Sequence, residues 1–332
     1  MMKKIYTLLT GLLLSVNAMG QQAEQPASVK PFSHLDFGVT LGSTGLGFDL
    51  AAPISRVVTV RTGFEFMPHF ERSMHFDVQS FDDQGNLLES KFDRMSSMMK
   101  ELTGYHVDGT IDLKGKPTMW NFKLLVDVYP FRNKHWHITA GFHWGPSKIA
   151  EAYNITEDSP SLFAVGMYNH IYDVAYKDFV ELIPTPLFGD QSLDPALEQK
   201  IINMGRMGIR VGDYSHDITD EQGNVIHRAG EPYRMEPDEN SMVKANAYAN
   251  SFKPYLGFGY EGRLLKNDDR YKIGFDAGLM FWGGKPDIIT HDGTNLSRDV
   301  ENMNGNVGRY VDIISAFRVF PVINLRITRK IF

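Results

Sequence analysis

The residues best equipped for chemistry are few, and most of them are badly placed for it. His135 and His137 stand two apart with His143 close behind, and imidazole is the commonest metal ligand. On an extended chain His137 and His143 are roughly 20 Å apart, at about 3.3 Å per residue. They cannot share one ion and read instead as polar lining or rim residues. Asp82-Asp83 and Asp220-Glu221 lack the ligand series of an EF-hand loop, so they read as solvated turn acids. Ser215 and His216 are adjacent, and on a strand they would face opposite ways. The chain has no cysteine, which removes disulfides, thiolate metal sites, cysteine nucleophiles and an acylated lipoprotein cysteine together. No metal or cofactor is predicted.

The charges with a common pattern are Asp36, Asp49, Glu65, Asp127, Glu261 and Asp276 against Arg61, Lys123, Lys272 and Arg326. Each sits on the polar phase of an alternating segment. The chemistry open to such a set is ion pairing inside a closed polar interior. Arg61 with Asp127, and Glu65 with Lys123, would both fit one antiparallel register without a bulge, setting opposite charges across from each other.

Eight alternating segments must position these charges. They centre on Leu35–Leu41, Leu46–Leu50, Val58–Phe66, Trp120–Val128, Trp136–Trp144, Leu256–Glu261, Lys272–Phe281 and Ile323–Thr328. Period-two alternation puts one strand face in an apolar medium and the other in a polar one. The apolar face carries large residues, including Phe48, Phe64, Phe122, Phe142, Phe258 and Phe275, while the polar face carries glycines and both signs of charge. Glycine weakens a strand, so its frequency on the polar face argues for a crowded interior rather than a water-facing surface. The segments approach the ~9–11 residues of a tilted transmembrane strand. The prediction is an all-β, antiparallel, up-and-down transmembrane barrel of eight strands, with an apolar outside and a polar inside. The interior of an eight-stranded barrel is only just filled by its own side chains, so the ten charges would plug it.

Connection lengths agree. The second, fourth and sixth are short, whereas long loops run about 67–118, 145–251 and 282–318. Alternation of short periplasmic turns with longer extracellular loops is the rule for such barrels. Trp120, Trp144, Trp282 and Phe66 fall at strand ends on the long-loop side, and Trp136, Phe131 and Tyr129 on the other, as aromatic girdles would. Within the loops, Phe76–Phe92 and Asp217–Arg234 read as hairpins with glycine-containing turns. Asp194 reads as the N-cap of a short helix opened by Pro195. Gly205–Val211 and Met242–Ala249 are expected to extend the barrel wall beyond the membrane.

The N-terminus fits export. Lys3 and Lys4 precede an apolar run, Ile5–Leu14, and Ala18-Met19-Gly20 supplies a small-residue cleavage site. Residues 1–20 are expected to be a signal peptide and 21–332 a single barrel domain. The formal charge of −6 gives no basic footprint for nucleic acid.

With Gly38–Gly42 and its hairpin, Asn121–Phe131, Pro254–Tyr260 and the terminal Phe332, the chain resembles small Gram-negative outer-membrane β-barrel proteins of the OmpA-like and porin-like class. The resemblance covers the strands and not the loops. It implies residence in the bacterial outer membrane, contact with its lipid and lipopolysaccharide, and recognition of Phe332 by the barrel-insertion machinery. One departure stands out: counted back from Phe332, the alternate positions hold Lys330, Thr328 and Arg326 instead of apolar residues. Either a bulge near Arg329 restores the phase, or Phe332 sits in the periplasmic rim. Proteases of this class use Asp-x-His pairs and deacylases a His-x-Ser pair, and neither occurs in this sequence. The expectation is a non-enzymatic envelope or surface-binding protein with an extracellular ligand. A pore for small solutes and an outer-membrane lipid-modifying enzyme are the alternatives.

Overall fold

The computed structural model describes residues 31–77, 79–81, 89–155, 159–181, 194–266, 268–303 and 305–331. Residues 1–20, the Asp82–Asn86 turn and Phe332 lie outside them. Eight antiparallel strands close a barrel: β1 (Asp36–Gly42), β2 (Gly45–Pro53), β3 (Val58–Phe66), β4 (Trp120–Val128), β5 (Trp136–Trp144), β6 (Phe252–Leu265), β7 (Asp268–Met280) and β8 (Phe320–Lys330). Each strand pairs with its sequence neighbours, and β8 closes onto β1. Closure satisfies every strand edge, which a strand needs where no water can hydrogen-bond it.

The outside of this wall is apolar and the inside polar. Phe48, Phe64 and Phe258 are exposed, with Phe122 and Phe142 half-buried beside them, while Asp49, Arg61, Lys123 and Asp127 are buried. That is the reverse of a soluble barrel and the arrangement a transmembrane barrel requires. Inward glycines make the room. A Cβ on Gly63 would come within 2.1 Å of the Phe48 carbonyl oxygen, and one on Gly38 within 2.7 Å of the Asp49 carboxylate.

Beyond one end the wall continues on one side only. Five strands, Arg72–Asp77, Thr110–Pro117, Lys148–Asn154, Lys244–Tyr248 and Asp287–Thr290, form a second sheet. Their order repeats that of β3, β4, β5, β6 and β7, the strands they continue. In this extension the polarity inverts. Ile111, Leu113, Ile149 and Ile288 are buried on its inner face, and Lys114–Glu71 (3.1 Å) and Lys116–Glu151 (2.9 Å) pair on its outer face. The change of phase marks the level at which the surroundings turn from lipid to water.

Packed against the inner face is a cap that shares one apolar core with it. Among the described residues it holds four helices, α1 (Glu89–Thr103), α2 (Ser159–Glu181), α3 (Pro195–Met204) and α4 (Gly305–Ala316), and a strand Arg206–Tyr214. Leu162, Val165, Tyr168, Tyr172 and Ala175 bury one side of α2 at three- and four-residue spacing. The Tyr168 hydroxyl donates to the Gly205 carbonyl (2.8 Å) just past α3, and the Asn169 amide donates to Met207 O (2.8 Å) while accepting from Met207 N (3.0 Å). Asp194 caps α3, its carboxylate accepting from Ala196 N at 2.7 Å.

Several expectations need correction. The β3–β4 register is shifted by two residues, so Arg61 faces Leu125 and Glu65 faces Asn121. A two-residue shift keeps the same face inward, which is why phase alone does not detect it. No bulge occurs near Arg329, because β8 pairs in unbroken register through Arg329 and Lys330. The second arm of the Phe76–Phe92 hairpin is replaced by the start of α1 at Glu89. Arg206–Tyr214 does not extend the wall; it pairs within the cap, with Pro232–Met235, Val300–Glu301 and Gln79–Phe81. Met242–Ala249 does extend it, through Lys244–Tyr248. Trp282 leaves the girdle, being buried with its indole N–H donating to Phe317 O (2.7 Å). Tyr129 turns inward, with its ring 5.3 Å from that of His137.

Candidate functional site

The interior charges fall into two connected groups. The first is built on Arg61 of β3, which is 1% exposed. Its guanidinium meets Asp127 of β4 at 2.7 and 2.8 Å, and donates twice to Asp276 of β7 at 2.9 and 3.0 Å. β3 and β7 are diametrically opposed in the ring, so this one side chain bridges the lumen from wall to wall. Thr139 of β5 donates to Asp127 (2.7 Å), and His137 Nε2 lies 2.9 Å from Asp276. A Cβ on Gly259 would lie 2.4 Å from His137 Nε2, so glycine is what admits the imidazole.

The second group is a chain running along the lumen. Lys272 meets Asp36 (3.6 Å) and Glu261 (2.8 Å); Glu261 meets Arg326 (3.2 Å). The Arg326 guanidinium closes on Asp49 at 2.5 Å, Asp49 lies 3.3 Å from Lys123, and Lys123 donates to Glu65 at 2.8 Å. His143 Nδ1 stands 3.5 Å from Glu65. All ten charges singled out in the sequence therefore have an oppositely charged partner. The expected partners Arg61–Asp127 and Glu65–Lys123 are in contact, but diagonally rather than directly opposite. Lys272 joins the second group, apart from Arg61.

Sequence reasoning missed Lys253 of β6, which is fully buried and donates to Asn121 Oδ1 (3.2 Å). It shares the polar phase of Tyr255, Gly257 and Gly259, and Pro254 beside it hides the start of the strand. His137 and His143 each face a carboxylate rather than a shared ion, and no group of metal-ligating side chains occurs among the described residues. Leu125 and Tyr255 lie among the charges, and Met280 and Val322 lie on the cap side of Asp276; all four belong to the same apolar core as the cap.

The cap carries two small polar clusters. Ser215 and His216 are in contact after all, with Oγ 2.9 Å from Nδ1 and Nε2 3.6 Å from Asp299. The Ser215 hydroxyl, however, donates to Arg298 O at 3.0 Å, so its proton is directed away from the imidazole a nucleophile would need as base.

The second cluster is the loop Thr290–Thr294. Tyr233 donates to Asp292 (2.8 Å), as do Thr290 Oγ (2.6 Å) and Thr294 N (3.0 Å). Burial alone would push the Asp292 carboxyl up, but these hydrogen bonds outweigh it and hold the group below the ordinary range. Burial and Asp292 in turn push the Tyr233 phenol up, keeping it a donor. A lowered carboxyl pKa gives stability present above the unfolded value, near 4, and lost as pH falls through the folded value. Hydrogen exchange on the cap should show Thr290–Thr294 losing protection between about pH 4 and lower values. Asp292→Asn should lower protection at pH 6 and remove that pH dependence. A loop whose protection is flat with pH in both proteins would contradict this account.

No family profile matches the chain, and no curated protein matches it in sequence. Among solved structures, Acinetobacter baumannii CarO2 is similar over 92% of this chain and 100% of its own, at 12% identity and a TM-score of 0.36. Acinetobacter baumannii CarO covers 92% and 99% at the same identity and TM-score. A major outer membrane protein from Thermus thermophilus covers 90% and 98% at 10% identity and a TM-score of 0.27. These likenesses are too distant to transfer a function, and the barrel stands on its own strand pairing.

Proposed function

We propose that this protein is an integral outer-membrane barrel that does not conduct, and that its cap is an extracellular surface-binding face with no enzymatic role. The observation that carries the reading is Arg61, paired to Asp127 on one wall and Asp276 on the opposite one. An aqueous pathway would have to break these pairs and then the apolar core above them. The three cap connections hold 31 acidic against 18 basic residues, so the surface offered outward favours a cationic ligand. The short turns gathered at the opposite rim support a periplasmic position for it.

The test is planar-bilayer recording on refolded protein. The expected result is no unitary conductance at any holding potential. Regular current steps from the wild-type protein would replace this reading with a pore for small solutes. A lipid-modifying enzyme is tested by turnover of lipid A and phospholipid. Activity that Ser215→Ala abolishes would overturn the non-enzymatic reading.

A further inference from the structure

The barrel's charge is strongly segregated. Among the described residues, the rim away from the cap carries Arg56, Arg132, Lys134, Arg263, Lys266, Arg270, Arg329 and Lys330 against Asp268 and Asp269, with Asp36 and Glu261 just inside it already paired to Lys272, in a chain of net charge −6. Exposed Phe131, Leu264, Leu265 and Ile331 lie among these cations. Cations interleaved with apolar side chains suit the boundary between acyl chains and anionic headgroups. A purely aqueous polyanion would not need the apolar half.

A groove opens on this rim. It is lined by Lys134 and Arg263 together with Tyr260, Ile273, Phe275 and Leu325, and its one carboxylate, Glu261, is neutralised by Lys272 beside it at 2.8 Å. It exists because Gly262 occupies the outward phase that Phe258 and Tyr260 hold before it. A Cβ on Gly262 would meet nothing nearer than the Tyr260 ring at 3.5 Å, so the space is unfilled rather than forced by packing. Lys134 adds an independent sign. Its φ is +53°, a left-handed conformation in which glycine or asparagine is the low-cost choice. A lysine kept there in spite of that cost points to use of its charge.

We propose that this groove binds one anionic glycerophospholipid of the periplasmic leaflet. An acyl chain lies along Ile273, Phe275 and Leu325, and the headgroup phosphate is held by Lys134 and Arg263. The proposal rests on the membrane orientation given above.

The test uses full-length mature protein, folded in micelles and incubated with phosphatidylglycerol or phosphatidylcholine of identical acyl chains. Retained lipid is counted by native mass spectrometry. One phosphatidylglycerol should be retained in preference to phosphatidylcholine. Lys134→Asn and Arg263→Gln should each weaken retention about fivefold. Lys134→Asn should leave the fold intact, since asparagine tolerates its backbone. Gly262→Leu should exclude both lipids by filling the groove. Equal retention of the two lipids, or undiminished retention by the variants, would overturn the proposal. So would displacement of the lipid by millimolar inorganic phosphate, the mark of a simple anion site. Binding of acidic peptidoglycan fragments that the same variants abolish, without any lipid preference, would also overturn it in favour of a cell-wall partner. Insertion into vesicles, measured separately, tests the membrane reading, so the two can fail independently.

Discussion

Arg61→Met should lower folding stability by about 3–5 kcal/mol, because breaking a buried pair from one side leaves uncompensated charge. Here the loss strands two carboxylates, Asp127 and Asp276, which Arg61 meets at 2.7–3.0 Å in a barrel centre closed to water. His137 beside Asp276, and Thr139 beside Asp127, are the only other side chains seen to hydrogen-bond these carboxylates among the described residues. The check is equilibrium unfolding of protein refolded into vesicles. Asp127→Asn should also destabilise, and the double variant should cost less than the sum of the two, since the second change removes the charge the first one strands. Strict additivity would mean that the side chains are hydrated independently. The lumen would then be a water-filled passage, and the pore reading would move ahead.

Leu124→Arg should cost about 2–4 kcal/mol in the same titration, the penalty for a cation on the lipid face at mid-bilayer. Leu124 is the fifth of the nine residues of β4 and stands opposite Phe142 on the outer face. The matched control is Val128→Arg, on the same face at the end of the strand, where the cost should fall to about 0–1 kcal/mol. Equal costs at the two positions would show that the outer face does not sample a depth gradient, and the transmembrane assignment would fail. Asn121, on the inward face of the same strand, is a poor control. It is fully buried, accepts from Lys253 and lies two residues from Lys123. An arginine there would add a third cation to a filled space.

The alternation of large apolar residues with glycines and charges determined the barrel. Lipid outside and paired ions inside select period two, and any strand that breaks it must bury a charge in hydrocarbon or leave one unpaired. The same pattern identified ten interior charges but not Lys253, and the short even-numbered connections agree with the strand order. Which charges touch was another matter. Arg61 reaches Asp276 across the lumen and Arg326 reaches Asp49 past β1. Such contacts depend on closure and register, and a two-residue slip between β3 and β4 leaves every side chain on its proper face.

The cap was least legible. α2 buries a broad side rich in tyrosine and alanine, which blurs its helical period into an aromatic cluster. The wall extension inverts its polarity where lipid gives way to water. Ser215 and His216, apart on any regular strand, meet because the chain bends just after the strand Arg206–Tyr214. Local pattern reports the medium on either side of a strand. Partners brought together across a closed ring or a packed cap are decided only by the tertiary structure, because only there do residues distant in sequence come to share one desolvated space.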